Sequence, residues 1–109
     1  MKRLPPLKSL QAFEAAGRHL SFTEAARELS VTPGAISQQI RMLEDFLELK
    51  LFRRMNRLIV LTEDGQLFLP FISKGFEQFG EAVAMLHEKS SEAPLTITSA
   101  PSFISKWLI

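Results

Sequence analysis

The sequence predicts a mainly α chain with three short helices, one two-stranded hairpin and a long final helix. Three observations carry this. Helix-start chemistry appears twice in close succession, at Ser21-Phe22-Thr23-Glu24 and at Thr32-Pro33. A cation-rich stretch, Lys50 to Arg57, separates two short apolar runs. Further on, Leu69, Ile72, Phe76, Phe79, Val83 and Leu86 follow one another at alternating spacings of three and four.

The first helix is expected to begin after Pro5 and Pro6, because the first helical position needs no backbone N–H. Leu7, Leu10, Phe13 and Ala16 give it an apolar stripe, and Gly17 is expected to stop it. The second helix should run from Phe22 to Leu29. Its capping box pairs the Ser21 hydroxyl with the Glu24 N–H, and Glu24 can reach back. Ala25 and Ala26 face inward and are small enough for a close helix crossing. Ser30-Val31 leaves room only for a tight turn. Thr32 then caps the third helix and Pro33 opens it, with Ile36, Ile40, Leu43 and Leu47 as its buried face. Two helices joined by so short a turn must cross steeply, as in a helix-turn-helix.

The opposite face of the third helix is small and polar: Gly34, Ser37, Gln38 and Arg41, flanked by Thr32, Ala35 and Gln39. No acidic residue occurs between Thr32 and Glu44. A helix surface facing only water usually carries Glu and Lys, which favour helix. Ser, Thr and Gln suit base edges and phosphates, Ala suits a thymine methyl, and the lack of carboxylates avoids phosphate repulsion. Free N–H groups at the helix start also favour an anion.

Leu51-Phe52-Arg53 and Ile59-Val60-Leu61 are the expected strands of the hairpin, joined by an Arg/Asn-rich tip. A basic hairpin beside a helix-turn-helix makes a winged helix-turn-helix, and arginines of a wing suit the negative minor groove. Lys50 and Arg53 are open at this point, since alternate strand residues face opposite ways. Charge follows the same division. Up to Thr62 there are ten basic and six acidic residues, and after it three basic and six acidic. The basic front half points to a polyanion.

Thr62 caps the last helix, whose first turn carries Glu63 and Asp64 at the favourable positive end. At 1.5 Å per residue, Glu63 to Glu88 spans about 39 Å. A second stripe, Phe68, Phe71 and Gly75, is expected to face the winged domain, and Pro70 to kink the helix near its start. The seam Leu69, Ile72, Phe76, Phe79, Val83 and Leu86 is the expected dimer interface, most simply between two copies related by a two-fold axis. Beyond Ser90-Ser91-Glu92-Ala93-Pro94, Leu95 to Ser99 alternates as a strand and Ser102 to Ile109 is a possible helix start. The expected division is 1–62 for the winged domain, 63–89 for the linker helix and 90–109 for a hinge and the truncated start of another domain.

Composition narrows the function. Hydrophobic residues make up 46% and charged residues 23% of the 109, at a net charge of +1, which excludes disordered and collagen-like chains. There is no cysteine, hence no disulfide framework, thiolate nucleophile or Cys-based metal site. A cytoplasmic location fits. No apolar run approaches the roughly 20 residues of a membrane span, and the start MKRLPP lacks the apolar core of a secretory signal. An enzyme is not expected: His19 and His87 are far apart, and no phosphate-cradling glycine loop exists. Gly65, Gly75 and Gly80 read as isolated helix glycines. A protein-binding winged helix and a small self-contained repressor are the rival readings. Steep salt dependence of duplex binding would separate the first from a DNA binder, and the apolar end Trp107-Leu108-Ile109 argues against the second.

The run from Phe22 to Ile40, followed by Leu43-Glu44, Leu51-Phe52-Arg53-Arg54 and Leu61-Thr62-Glu63-Asp64-Gly65, resembles the N-terminal part of LysR-type transcriptional regulators. The opening Arg3-Leu4-Pro5-Pro6-Leu7, with Ala16 to Phe22 and Leu47 to Phe52, most resembles the glycine-cleavage-activator-like subgroup. The resemblance covers essentially the whole chain. It implies a winged helix-turn-helix, a linker helix that dimerises, and an effector-binding domain mostly absent here. It implies no cofactor in this fragment, and a small-molecule effector for the full-length protein. Ser99 and Ser102 would belong to that effector pocket, but no working site is assigned to them. The resemblance also implies contacts to double-stranded DNA from Thr32, Pro33, Ser37 and Gln38 in the major groove, and from Arg54 and Arg57 at the minor groove or phosphates. Ala35 is expected close to the duplex. Arg41 is expected to reach a phosphate, with pairing to Glu44 or Asp45 as the alternative. Pro33-Gly34 stands where many members carry Gln and a small residue, so base preference does not carry over.

Overall fold

A computed structural model describes residues 3–90. The expected strand at Leu95–Ser99 and helix from Ser102, with Ser99 and Ser102 themselves, lie outside the described residues. The element order is α1 (Leu7–His19), α2 (Phe22–Leu29), α3 (Pro33–Leu47), β1 (Phe52–Met55), β2 (Leu58–Leu61) and α4 (Glu63–Ser90).

One packed unit covers the described residues up to Ile72. Its centre is Phe13, fully buried in α1, whose ring meets those of Phe52 and Phe68 at centroid distances of 5.7 and 5.3 Å. Phe22 meets Phe52 edge-on at 5.5 Å. Four rings from α1, α2, β1 and α4 thus meet in one cluster, each aromatic pair adding about 0.5–1.5 kcal/mol beyond its burial. Ala12, Ala15, Ala16, Ala25 and Ala26 are all buried. These small side chains allow the first three helices to pack closely around Ile36, Ile40 and Leu43 of α3.

The local chemistry explains the helix ends. Ser21 and Thr32 each accept an N–H at 3.1 Å, from Glu24 and Ala35 respectively. The Glu24 carboxylate does not complete the capping box; Arg27 takes it instead, at 3.1 Å. Ser30 adopts left-handed backbone (φ 59°), and its N–H and that of Val31 close onto carbonyls of the last turn of α2. Ser30, Val31 and Thr32 are therefore the whole turn. The first helix does not stop at Gly17. It runs on to His19 and ends at Leu20, left-handed at φ 52°. Gly17 serves packing instead: a Cβ there would lie 3.0 Å from Leu69 Cδ2. Leu7 of the expected stripe is exposed, and the buried line of α1 is Ser9, Ala12, Phe13 and Ala16.

The hairpin strands pair antiparallel in the register Phe52↔Leu61, Arg53↔Val60, Arg54↔Ile59 and Met55↔Leu58. They extend further than the sequence suggests, leaving a tip of only Asn56 and Arg57, both with positive φ. Such a pair forms the two-residue turn whose twist matches paired strands.

Thr62 starts α4, its hydroxyl accepting the Gly65 N–H at 3.1 Å and donating to the Lys50 carbonyl at 2.7 Å. Gly65 is buried, and a Cβ on it would lie 2.3 Å from the Leu51 carbonyl oxygen. It is therefore a close-approach glycine. Phe68, Leu69 and Ile72 all pack against the core, which carries the unit past Thr62. Phe71, expected to face the winged domain, is 71% exposed instead. The burial explains the shift. Leu69 fills the space over Gly17, so the inward stripe is Phe68, Leu69 and Ile72, and Phe71 falls on the outer side.

The second unit begins at Ser73. Its described part is the rest of α4, and the helix passes through Pro70 unbroken. Within this unit Phe76 and Phe79 meet edge-on at 5.8 Å, and Phe79, Met85 and Leu86 are exposed. A Cβ on Gly75 would meet nothing within 4 Å.

Candidate nucleic-acid interface

The third helix supplies the site's main surface. Thr32, Pro33, Gly34, Gln38 and Arg41 are exposed, while Ala35 and Ser37 are half-buried at the edges of that face. The face owes its placement to the other side of the helix. Ile36, Ile40 and Leu43 are each at most 3% exposed, which fixes the rotation of α3 in the core. The first turn carries no acidic residue, and the side-chain cap from Thr32 takes up the Ala35 N–H.

Arg41 has no ion-pair partner among the described residues; neither Glu44 nor Asp45 takes it. Glu44 is committed elsewhere. Its Oε2 accepts the Leu51 N–H at 2.8 Å and the Phe52 N–H at 3.3 Å, and its Oε1 lies 3.8 Å from Lys50 Nζ. One carboxylate of α3 thus anchors the start of the hairpin. Thr62 N–H donates to the Leu51 carbonyl at 3.0 Å and closes the other side of that anchor. The hairpin is tied to α3 by these hydrogen bonds, and to α1 and α2 by the Phe52 ring.

Arg53, Arg54 and Arg57 are exposed and make no ion pair among the described residues. Lys50 is exposed too, at the long distance from Glu44 just given. Arg54 lies on a strand and Arg57 in the turn, so the two do not share one loop. By contrast, Arg18 and His19 of α1 and Arg27 of α2 sit against carboxylates. Arg18 bonds Glu14 at 2.7 Å and Glu28 at 2.7 Å, and His19 Nε2 lies 2.7 Å from the other Glu28 oxygen. Hydrogen bonds to Glu14 and then Glu28 raise the Arg18 pKa above its ordinary value. The Arg18 hydrogen bond lowers that of Glu28, against partial burial and with help from His19. From α1 to the hairpin, the arginines without an ion pair among the described residues, Arg41, Arg53, Arg54 and Arg57, all lie on α3 and the hairpin.

Two site residues are not apparent from the sequence. Gln39, expected as a flank of the polar face, turns toward α1: its Oε1 accepts the hydroxyl of Ser9 at 2.7 Å. Glu44, expected only as the first acid after the polar face, is the wing anchor. Both carry a signal, since Gln39 precedes Leu43 by four and Glu44 follows Ile40 by four, which puts polar groups in apolar rows. Of the seam residues, Leu69 and Ile72 are half-buried on their own domain's core. Phe76 and Val83 are half-buried, and Phe79 and Leu86 lie exposed in the second unit. Among the described residues no group of acidic or histidine side chains could hold a metal ion, and no helix is long and apolar enough to cross a membrane.

The sequence pattern of a family described as bacterial regulatory helix-turn-helix protein, lysR family, matches residues 7–66. The glycine cleavage system transcriptional activator of Escherichia coli K12 is 54% identical over 108 residues, covering 99% of this chain and 35% of that protein. A homolog of that activator from Haemophilus influenzae is 45% identical, covering 99% and 36%. The chain therefore spans about a third of the length of these relatives. Among solved structures, BenM_DBD in complex with benA site 1 DNA superposes with a TM-score of 0.71 at 30% identity, covering 79% of this chain and 97% of that one. Corynebacterium glutamicum OxyR in its oxidized form gives 0.71 at 26% identity, covering 79% and 28%. With a matching pattern over more than half its length and relatives of this kind, the chain belongs to the LysR family of bacterial regulatory helix-turn-helix proteins.

Proposed function

We propose that this chain is the DNA-binding segment of a transcriptional regulator and that it binds double-stranded DNA with sequence preference. The observation that carries the reading is the exposed face of α3, free of carboxylates from Thr32 to Leu43, beside a hairpin whose arginines make no ion pair among the described residues. In this reading α3 enters the major groove. Thr32, Pro33, Ala35, Ser37 and Gln38 meet base edges or the adjoining backbone, and Arg41 reaches a phosphate. Arg54 and Arg57 reach the minor groove or the phosphates beside it. The likeness to BenM_DBD, solved with DNA, supports this placement.

The chain acts as a homodimer through α4, with Leu69, Ile72, Phe76, Phe79, Val83 and Leu86 at or beside the interface. Support comes from apolar surface left in water. Phe71 and Leu67 are 71% and 68% exposed, and they line an apolar hollow of about 260 Å³ with Leu47 and Leu49. Two copies related by a two-fold axis would read an interrupted inverted repeat. Residues 1–62 form the DNA-binding part, 63–89 the linker helix, and 90–109 the start of an effector-binding domain. The longer protein responds to a small molecule, works in the cytoplasm and has no catalytic role.

The test is selection of duplexes from a random library by the purified chain, followed by titration of a recovered duplex between about 50 and 200 mM salt. The expected result is an enriched inverted repeat whose affinity falls steeply with salt, as counterion release requires. Absence of enrichment together with salt-independent binding would overturn the reading.

A further inference from the structure

Ser9 is the one polar side chain buried in the core among the described residues, at 0% exposure. A buried hydroxyl is costly unless bonded. Its partner is Gln39 Oε1, at 2.7 Å across the α1–α3 packing. This bond occupies the acceptor end of the amide. The donor end, Nε2, has no protein partner among the described residues, yet no unpartnered side-chain nitrogen or oxygen is buried. Gln39 therefore presents its amide donors to the surface, with its oxygen turned toward Ser9.

The position of that donor matters. Successive helix residues turn by about 100°, so Gln39 lies on the flank beside Gln38, on the side of α3 toward α1. Phe46, seven residues on, shares that flank, and the Arg3 guanidinium lies 5.3 Å from its ring centroid. The flank thus carries a fixed donor and, about 10 Å further along the helix, a cation, and among the described residues neither is bonded to a carboxylate. A phosphate oxygen only accepts hydrogen bonds, whereas base edges present both donors and acceptors.

We propose that Gln39 donates from Nε2 to a DNA backbone phosphate at the edge of the major groove, and that Ser9 is the positioning residue that orients its amide. The proposal rests on the DNA-binding reading above. It gives Ser9, a residue remote from any reading surface, a part in placing the protein on the duplex. Gln39 then contributes register and affinity, and base preference stays with Ser37 and Gln38.

The test uses one duplex selected by the wild-type chain, synthesised as a series with a single methylphosphonate at each backbone position. Wild-type binding should weaken at one particular phosphate on the flank of the α3 contact. The double substitution S9A/Q39M makes both sides of the buried contact apolar, which avoids an unsatisfied hydroxyl. It should bind the unmodified duplex about tenfold more weakly, the order expected for one hydrogen bond to a charged group. The methylphosphonate at that one position should then cost nothing further, while those elsewhere keep their effects. S9A alone should give a partial version of the same position-specific loss. A merely structural role would move all positions alike, and that outcome overturns the proposal. Equal affinity of wild type and S9A/Q39M also overturns it. A wild-type chain that binds no duplex at all overturns both this proposal and the DNA reading beneath it.

Discussion

The Glu44 carboxylate of α3 accepts the Leu51 backbone N–H at 2.8 Å, so a single side chain of α3 sets where the wing begins. Leu51 is 1% exposed, and its N–H has no water to fall back on. Glu44→Ala should therefore cost about 2–3 kcal/mol, the range for leaving a buried donor without its charged acceptor. Glu44→Gln keeps a neutral acceptor and should lose roughly half as much. Urea unfolding gives the ordering, and amide exchange at Leu51 and Phe52 should accelerate in the Ala variant before global unfolding. Equal stability of wild type and Glu44→Ala would remove the anchor from the account.

Two glycines predict different responses to the same substitution. At Gly65 a Cβ would lie 2.3 Å from the Leu51 carbonyl oxygen, a backbone atom held by the Thr62 N–H. Nothing there yields cheaply, so Gly65→Ala should destabilise by about 2 kcal/mol or more despite the gain in helix propensity. At Gly17 the obstacle is the end of the Leu69 side chain, at 3.0 Å. A rotamer can move, and Ala gains up to about 1 kcal/mol of helix propensity. Gly17→Ala should be close to neutral. Thermal unfolding of both variants under one condition checks the contrast; a Gly17 variant as unstable as the Gly65 one would contradict it.

The legible parts of this fold are those with local causes. Ser21, Thr32 and Thr62 fix three helix starts by their own hydroxyls, and the Ile36, Ile40, Leu43 row fixes the inward side of α3. The exposed set Thr32, Pro33, Gln38 and Arg41 follows directly from that row. What stays hidden depends on contacts distant in sequence. Gly17 looks like a helix stop until Leu69 arrives across the core, and Gly65 looks incidental until the Leu51 carbonyl is beside it. Gln39 sits at the flank of the polar face and Glu44 just beyond it, yet partners thirty and seven residues away draw them inward. Phe71 is misplaced from sequence for the same reason, since the partner surface decides which of several neighbouring apolar residues is buried.

The Glu28 carboxylate joins the end of α1 to α2 through Arg18 and His19. Its pKa is lowered, first by the Arg18 hydrogen bond. A carboxylate held below its unfolded value adds stability above that value and loses it as pH falls through the folded one. The unfolded value is about 4.3. Glu28→Gln should thus be less stable than wild type by about 1 kcal/mol at neutral pH, in line with partly exposed pairs. The gap should narrow once pH drops below about 4. Denaturant midpoints of the two proteins from about pH 7 to pH 3 measure it. A gap that stays constant across that range would mean that the charge of Glu28 contributes nothing.

The tip of the wing separates stability from binding. Arg57 has φ 70° and Asn56 φ 48°, a turn in which both residues are left-handed. Glycine suits the second position, and a bulky side chain in this conformation costs about 1–2 kcal/mol. An arginine kept in such a place points to a use outside the fold. Arg57→Gly should then raise stability by about 1 kcal/mol and weaken duplex binding at the same time. If Arg57 neutralises one phosphate, the slope of log K against log salt should shrink by about 0.9. Thermal unfolding supplies the first quantity, and titration of a selected duplex from about 50 to 200 mM salt the second. A variant that gains stability with unchanged affinity and slope would take the tip of the wing off the DNA. A variant that loses both stability and affinity would instead mean that Arg57 supports the hairpin itself, through contacts the turn geometry does not suggest.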